Sequence, residues 1–260
     1  MLPARLIFIT GTDTGVGKTL LTSLLLAHLR GRGIRALALK PFCSGSRSDA
    51  TRLRSLMDHE LTLDEINPFY FPEPLAPLVA ARKHRRRIFL RQVLSHISRI
   101  TYHASRITLL IEGAGGLLAP LGEDCTALDI IRGLACEVLL VAPNKLGTIN
   151  HTLLTLRTLQ FSAPPRSTRI VLMNCRSPDP SAASNPRILS ELLAPIPVHT
   201  FPFLSSARCR PVAICRHASV LHRKLAALLS QTLDIGKVVP LTKHCGTTTS
   251  AGYLKCKNLI

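Results

Sequence analysis

The sequence contains no apolar run of the ~18 to 20 residues that a membrane span requires. Its first ten residues also lack the small-residue cleavage site of a secretory signal. A soluble, cytoplasmic chain with no membrane partner is therefore expected. The eight cysteines (43, 125, 136, 175, 209, 215, 245 and 256) are scattered, with no Cys-x-x-Cys and no Cys/His set at zinc-finger spacing. That excludes a zinc-ribbon reading and leaves free thiols in a reducing cytosol as the expectation. Acids are scarce as well: 15 Asp and Glu face 33 Lys and Arg, for a formal net charge of +18. Such an excess suggests an anionic partner. The densest basic cluster, Arg82, Lys83, His84, Arg85, Arg86 and Arg87, has no interleaved aromatic on which a base could stack. A solvated basic loop is its preferred reading, with nucleic acid contact or general anion steering left open.

What is present is a repeated β-then-α pattern. Short runs rich in Ile, Leu and Val at Leu6 to Thr10, Ile34 to Leu39, Ile107 to Ile111, Val138 to Ala142, Ile170 to Met173 and Val198 to Phe201 alternate with longer helix-compatible stretches. This order predicts an α/β fold, a mostly parallel sheet with helices on both faces in a Rossmann-like, three-layer, P-loop NTPase-like arrangement. The runs are continuously apolar instead of alternating, as expected of strands covered on both faces. Helices are expected over Leu20 to Leu29, Phe89 to Tyr102, Thr148 to Gln160 and His217 to Leu233. The proline-rich stretch Asn67 to Pro77 reads as an irregular crossing loop, and Ser177 to Pro186 as a surface loop. At 260 residues one large domain is the economical expectation, here residues 1–233. Residues 234–260 form a basic stretch, free of acids from Lys237 onward, and are expected to be a weakly ordered tail.

Between the first strand and the first helix lies Gly-Thr-Asp-Thr-Gly-Val-Gly-Lys-Thr, Gly11 to Thr19. A strand ending in a glycine-bearing turn that opens a helix directs several backbone N–H groups at one point, where the helix dipole favours an anion. Lys18 adds a mobile positive charge and Thr19 a hydroxyl suited to Mg²⁺. The segment predicts a nucleotide site formed by Gly15, Val16, Gly17, Lys18, Thr19 and Leu20. The strict pattern would place a glycine where this chain has Thr12, with Gly11 one position earlier, so the loop is a variant.

In parallel sheets ligands bind beyond the C-terminal ends of the strands. The second strand leaves through Lys40-Pro41-Phe42-Cys43-Ser44-Gly45-Ser46, followed by Asp49, and the third through Glu112-Gly113-Ala114-Gly115-Gly116. With Thr19, Asp49 and Glu112 form an oxygen-rich set of the kind Mg²⁺ prefers beside nucleotide phosphates. Asp49 also suits a helix N-cap, and Glu112 a structural salt bridge. Lys40 could bring a second positive charge opposite Lys18, the pair neutralising charge that develops in phosphoryl transfer.

Taken together, Gly-Thr-Asp-Thr-Gly-Val-Gly-Lys-Thr, Lys-Pro-x-x-Ser-Gly-Ser with a following Ser-Asp, Asn-Pro-Phe-x-Phe-x-Glu-Pro, Glu-Gly-Ala-Gly-Gly and Lys-Leu-Gly-Thr-Ile-Asn-His resemble the dethiobiotin synthetase family, in order from about Leu6 to Leu204. The resemblance implies an ATP-dependent cyclo-ligase using Mg²⁺. Its substrates would be 7,8-diaminopelargonic acid and CO₂ or bicarbonate. It further implies Lys40, Lys18 and Thr14 as catalytic residues and Ser44 near the substrate. Thr19, Asp49 and Glu112 would hold the metal, and Gly113, Ala114 and Gly115 would run beside the nucleotide phosphates. Asn174 with Pro202, Phe203 and Leu204 would line the purine pocket. The turn Gly147, Thr148 and Asn150 would receive the substrate carboxylate across a homodimer interface. Relatives often have Glu where this chain has Gly15, and Asn-Asp where it has Asn174-Cys175.

Two other readings compete. A P-loop ATPase switch would use the basic surface to bind DNA or an acidic partner, although nucleic acid is the less favoured partner. A cobyrinic-acid-type amidating ligase shares a similar loop but carries an additional glutaminase domain, for which this chain is short.

Overall fold

The computed structural model describes residues 4–102, 107–162, 167–204 and 211–230. The expected tail, 234–260, and Cys209, Cys245 and Cys256 lie outside the described residues. In chain order the elements begin with β1 (Arg5–Gly11), α1 (Lys18–Gly31), β2 (Ala36–Leu39), β3 (Phe42–Ser44) and α2 (Ser48–Leu56). Next come α3 (Leu63–Ile66), β4 (Phe69–Phe71), α4 (Pro77–Lys83), α5 (Leu90–Tyr102), β5 (Thr108–Glu112) and α6 (Ala127–Leu134). The chain continues through β6 (Glu137–Asn144), α7 (Thr148–Ser162), β7 (Ser167–Asn174), a 3₁₀ turn at Pro180–Ala183 and α8 (Asn185–Leu193). It ends, within the described residues, with β8 (Val198–Phe201), α9 (Pro211–Val220) and α10 (His222–Leu229).

Six strands form one sheet in the order β2-β5-β1-β6-β7-β8, every neighbouring pair parallel. They are the six apolar runs of the sequence. After β1 the chain moves to one side, through β2 and β5, then crosses to the other for β6, β7 and β8. The order therefore switches at β1, whose C-terminal end carries the glycine-rich loop, the usual ligand position in such sheets.

Continuous hydrophobicity follows from double coverage. Along β6, Leu139 and Val141 join the main core with α1, whereas Leu140 and Ala142 join a second cluster with Leu156 of α7 and Leu189 and Leu193 of α8. Adjacent residues thus enter opposite layers, which makes consecutive positions apolar. Each fully buried Leu or Ile adds on the order of 1.5–3 kcal/mol relative to exposure.

Three expectations need correction. Asn67 to Pro77 is not wholly irregular: Phe69–Phe71 forms β4, parallel to β3 with Phe42 opposite Phe69, and Pro77 opens α4 at a position that needs no N–H donor. Phe42 and Phe69 stack at 4.9 Å between ring centroids. The Ser177 to Pro186 loop contains the 3₁₀ turn and the first residues of α8. The helix expected over His217 to Leu233 is instead two, α9 and α10, separated at Leu221.

Candidate active site

The phosphate loop is shaped by backbone that only glycine adopts without strain. Gly15 has φ +73° and Gly17 φ +104°, in the left-handed region. Gly17 is the N-cap of α1 and makes no side-chain cap, and the first turn carries no acid. The N–H groups opening α1 therefore remain free to meet an anion. The loop is fixed at its edges: Thr12 N donates to Val141 O at 2.9 Å, and a Cβ on Gly11 would lie 2.7 Å from Val16 Cγ2.

Lys18 is buried and folds back over this loop, donating to Asp13 O at 2.7 Å and Gly115 O at 2.6 Å. Burial lowers its pKa to about 8; Glu112 opposes that shift and Lys40 adds to it. Its charge is thus destabilised where a phosphate anion would restore it.

Lys40, at the exit of β2, sits between the carboxylates of Glu112 and Asp49, the latter at 3.1 Å. Burial disfavours its charge, but Glu112 and Asp49 outweigh burial and hold the pKa above the ordinary lysine value. The neighbouring lysines are therefore shifted in opposite directions. Only Lys40 has two carboxylates against its ammonium. Asp49 is pushed up by burial, yet the charge and hydrogen bond of Lys40, with the neighbouring Thr19 hydroxyl, leave its pKa below normal.

Thr19 Oγ1 donates to Glu112 Oε1 at 2.5 Å. Thr19, Asp49 and Glu112 are thus brought to one point, as the sequence predicts. Asp49 is not the helix cap: Arg47 occupies that position, and Asp49 lies in the first turn of α2. Glu112 is 1% exposed, and its Oε2 has no hydrogen-bond partner. An unspent buried carboxylate oxygen beside a threonine hydroxyl and a second carboxylate suits a hard cation. The donor set therefore fits Mg²⁺.

Around this centre, Gly113 N donates to Ile9 O at 2.9 Å, which keeps the Gly113 to Gly115 segment against β1. Gly115 has φ +68°, and a Cβ there would lie 2.7 Å from Ala119 Cβ. Thr14 is exposed at the loop crest. Ser44 ends β3 with a buried, unpartnered Oγ, and Gly45 follows at φ +85°. Asn174 ends β7 and is exposed, whereas the preceding Met173 packs against the loop, 3.0 Å from where a Gly17 Cβ would lie. Pro202, Phe203 and Leu204 continue from β8, which pairs with β7 through Met173 and Phe201. Gly147, at φ +89°, Thr148 and Asn150 open α7 at a greater remove, beyond β6.

A family model described as an AAA domain matches residues 5–204. Among curated proteins, the ATP-dependent dethiobiotin synthetase of Anaeromyxobacter sp. (strain Fw109-5) is 40% identical over 186 residues, covering 70% of this chain and 82% of the relative. That of Bacillus subtilis (strain 168) is 38% identical over 190 residues, covering 71% and 81%. That of Anaeromyxobacter dehalogenans (strain 2CP-C) is 36% identical over 227 residues, covering 86% and 98%. The chain belongs to the dethiobiotin synthetase family. Among solved structures, the MinD cell division protein of Aquifex aeolicus matches with TM-score 0.56 at 17% identity, covering 92% of this chain and 100% of that one. The pNOB8 ParA structure, bound to nonspecific DNA, matches with TM-score 0.52 at 12% identity, covering 86% and 99%. These likenesses show the P-loop NTPase fold alone.

Against this dethiobiotin synthetase background, sequence reasoning gave no role to Asn144, which it placed at a strand exit, and missed Asn185, two residues that lie beside Asn174 at the strand ends. Both are buried and hydrogen-bonded toward Asn174. The signal available was an asparagine at the end of each of two strands, Asn144 and Asn174, and one opening a helix, Asn185, too common a pattern to single out without the register that pairs them.

Proposed function

We propose that this chain uses ATP to carboxylate 7,8-diaminopelargonic acid and close the ureido ring of dethiobiotin, a step of biotin biosynthesis. The observation that carries this reading is the convergence of Lys18, Thr19, Lys40, Asp49 and Glu112 beside an uncapped helix N-terminus. Such a site offers positive charge and hydrogen-bond donors in place of a nucleophile and base.

The chemistry asks for that. CO₂ adds to one amine of the substrate, which loses a proton and becomes a carbamate. A carbamate oxygen attacks the γ-phosphorus, releasing ADP and forming a carbamic-phosphoric anhydride. The second amine then attacks the carbonyl carbon, loses its proton and expels phosphate. No covalent enzyme intermediate is needed, so positioning and charge stabilisation dominate. Lys40, kept protonated by Glu112 and Asp49, acts as a fixed charge facing the phosphoryl and carbamate oxygens and not as a proton acceptor. Lys18 follows the β- and γ-phosphates, exchanging its carbonyl partners for phosphate oxygens. Thr14 and Ser44 offer hydroxyls toward the carbamate and amines. Thr19, Asp49 and Glu112 are the residues that would hold Mg²⁺, whose contribution is to neutralise phosphate charge. Gly113, Ala114 and Gly115 flank the phosphates, and Asn174 with Pro202, Phe203 and Leu204 flanks the base.

The substrate carboxylate is assigned to the turn Gly147, Thr148 and Asn150, at the N-terminus of the 15-residue helix α7. A homodimer is supported by an apolar stripe beside it: Leu146, Leu154 and Phe161 are 79%, 58% and 94% exposed. A second subunit covering this stripe would close the carboxylate site. The compartment implied is the cytoplasm; Cys43, Cys125, Cys175 and Cys215 are free thiols among the described residues.

The competing DNA-bound switch gains little from the basic cluster. Arg82 pairs with Glu123 at 2.6 Å, and Lys83 and His84 pair with Glu73 at 2.9 and 2.7 Å. The test is ATP hydrolysis measured with and without 7,8-diaminopelargonic acid and bicarbonate, alongside dethiobiotin formation. Dependence on both substrates, with ADP and dethiobiotin formed in equal amounts, is expected. Hydrolysis indifferent to the diamine refutes the reading.

A further inference from the structure

Three asparagine amides meet at the strand ends beside the proposed base pocket. Asn144 and Asn174 are register partners, the last residues of β6 and β7. Asn144 Nδ2 donates to Asn174 Oδ1 at 2.9 Å and to Ala182 O at 3.0 Å, which uses both of its hydrogens. Its Oδ1 accepts from Asn185 Nδ2 at 3.1 Å. Asn185, the first residue of α8, also has its Nδ2 at 3.2 Å from both Lys145 O and Ser181 Oγ, so its two hydrogens are shared among three acceptors. Asn144 and Asn185 are each 3% exposed, and Asn174 is exposed.

This arrangement permits one orientation of each amide. Turning Asn144 over would set its carbonyl oxygen against Ala182 O and Asn174 Oδ1, which have no hydrogen to give, and would abandon the bond from Asn185. Buried amide groups left without partners are unfavourable enough to prevent the flip. Asn174 must in turn direct Oδ1 toward Asn144, leaving that oxygen one lone pair. Its Nδ2 donors remain available at the exposed side.

We infer that Asn144, held by Asn185, is a specificity-determining positioning residue that locks the Asn174 amide in the orientation matching adenine and opposing guanine. An asparagine amide pairs with adenine by donating to N7 and accepting from the exocyclic N6 amine. The locked Asn174 offers that donor and that remaining lone pair. Guanine presents two acceptors, N7 and O6, along the same edge. The locked Oδ1 would face O6, lone pair against lone pair. A freed Asn174 can turn both N–H groups toward N7 and O6, so guanine becomes acceptable once the lock is removed. The inference rests on the proposed placement of the base beside Asn174.

The test is displacement of a fluorescent ATP analogue from the purified full chain by ATP and by GTP. It reads base discrimination without ring closure, so its outcome is separate from whether dethiobiotin is formed. Wild type is expected to prefer ATP by roughly ten- to a hundredfold, the range of one bidentate amide–base pair. Asn144→Ala is expected to reduce that ratio to within about threefold of unity, mainly by improving GTP. Asn185→Ala, which leaves the Asn144–Asn174 bond in place, shifts the ratio in the same direction by less and serves if Asn144→Ala does not fold. Asn174→Ala removes the preference altogether. A merely structural role for Asn144 weakens both nucleotides in proportion. An unchanged ratio in Asn144→Ala and Asn185→Ala overturns the inference, as does a wild type with no preference for ATP.

Discussion

Lys40 and Glu112 define a mutual dependence that a single substitution breaks. Glu112 is buried beside Thr19 and Lys40, so Lys40→Ala leaves a carboxylate without its main counter-charge, a change that costs about 3 kcal/mol or more. Ring closure should fall by roughly a thousandfold, the upper range for loss of one transition-state donor, with ATP binding retained. Adding Glu112→Gln should recover most of the thermal stability of Lys40→Ala and none of its turnover. Near-normal turnover by Lys40→Ala would remove its catalytic assignment. Lys18 makes a prediction of opposite sign. Its folded pKa of about 8 lies below the ordinary 10.5, so between those values the unfolded chain binds more protons and stability rises with pH. Lys18 therefore weakens the fold below pH 8 by roughly 3 kcal/mol before its two hydrogen bonds are counted. Lys18→Met should unfold about 1 kcal/mol less readily at pH 7, should lose that gain by pH 10.5, and should bind ATP poorly. In wild type, ATP affinity should be level below pH 8 and fall above it as the ammonium deprotonates. Calorimetric unfolding and nucleotide titration across pH 6.5 to 10.5 check both trends.

At the scale of elements, the loop is held by conformations that tolerate little change. Gly17→Ala would put a side chain at φ +104°, with its Cβ 3.0 Å from Met173. The backbone strain alone costs about 1–2 kcal/mol and misaims the first N–H groups of α1. ATP affinity should drop at least about tenfold by that measure, and Gly17→Ala with Met173→Ala should recover little, because the strain lies in φ. Recovery to wild-type affinity in the double variant would show that side-chain contact was the constraint instead. The major elements were legible because both-face burial makes each strand a continuous apolar run, visible without the fold. Leu109 to Ile111 of β5 and Val138 to Ala142 of β6 illustrate it. The β3–β4 pair was not legible: three residues each, β4 flanked by Pro68 and Pro72, they carry no period, and the Phe42–Phe69 stack that joins them spans 27 positions of sequence. The break at Leu221 was missed since the apolar spacing runs on across it. Within the site, Lys18, Thr19, Lys40, Asp49 and Glu112 could be named from strand exits and motifs. The asparagine lock could not, as it depends on register between β6 and β7 and on the return of α8.

For the whole molecule, the proposed dimer would tie assembly to the reaction through the exposed stripe of Leu146, just before α7, with Leu154 and Phe161 on it. If a second subunit covers Leu146, Leu154 and Phe161, Leu154→Glu with Phe161→Glu should yield monomers in sedimentation. It should also raise KM for the diamine at least about tenfold, with ATP affinity unchanged, because helix-terminus recognition of a carboxylate is lost while the phosphate loop is intact. A monomeric variant with unaltered KM would separate the dimer from the site. The net charge of +18 includes the exposed Arg82 to Arg87 cluster. It is predicted to affect encounter with anionic substrates through salt-sensitive steering, not the chemical step. The central claim is that the protein sets a carbamate oxygen in line with the γ-phosphorus of ATP. Bicarbonate labelled with ¹⁸O tests it directly, with unlabelled ATP and diamine in ordinary water and a reaction short enough to limit exchange. Label is expected both in the ureido carbonyl of dethiobiotin and in the released phosphate, since the carbamate oxygen that attacks phosphorus departs with it. A labelled ureido carbonyl accompanied by unlabelled phosphate would contradict it.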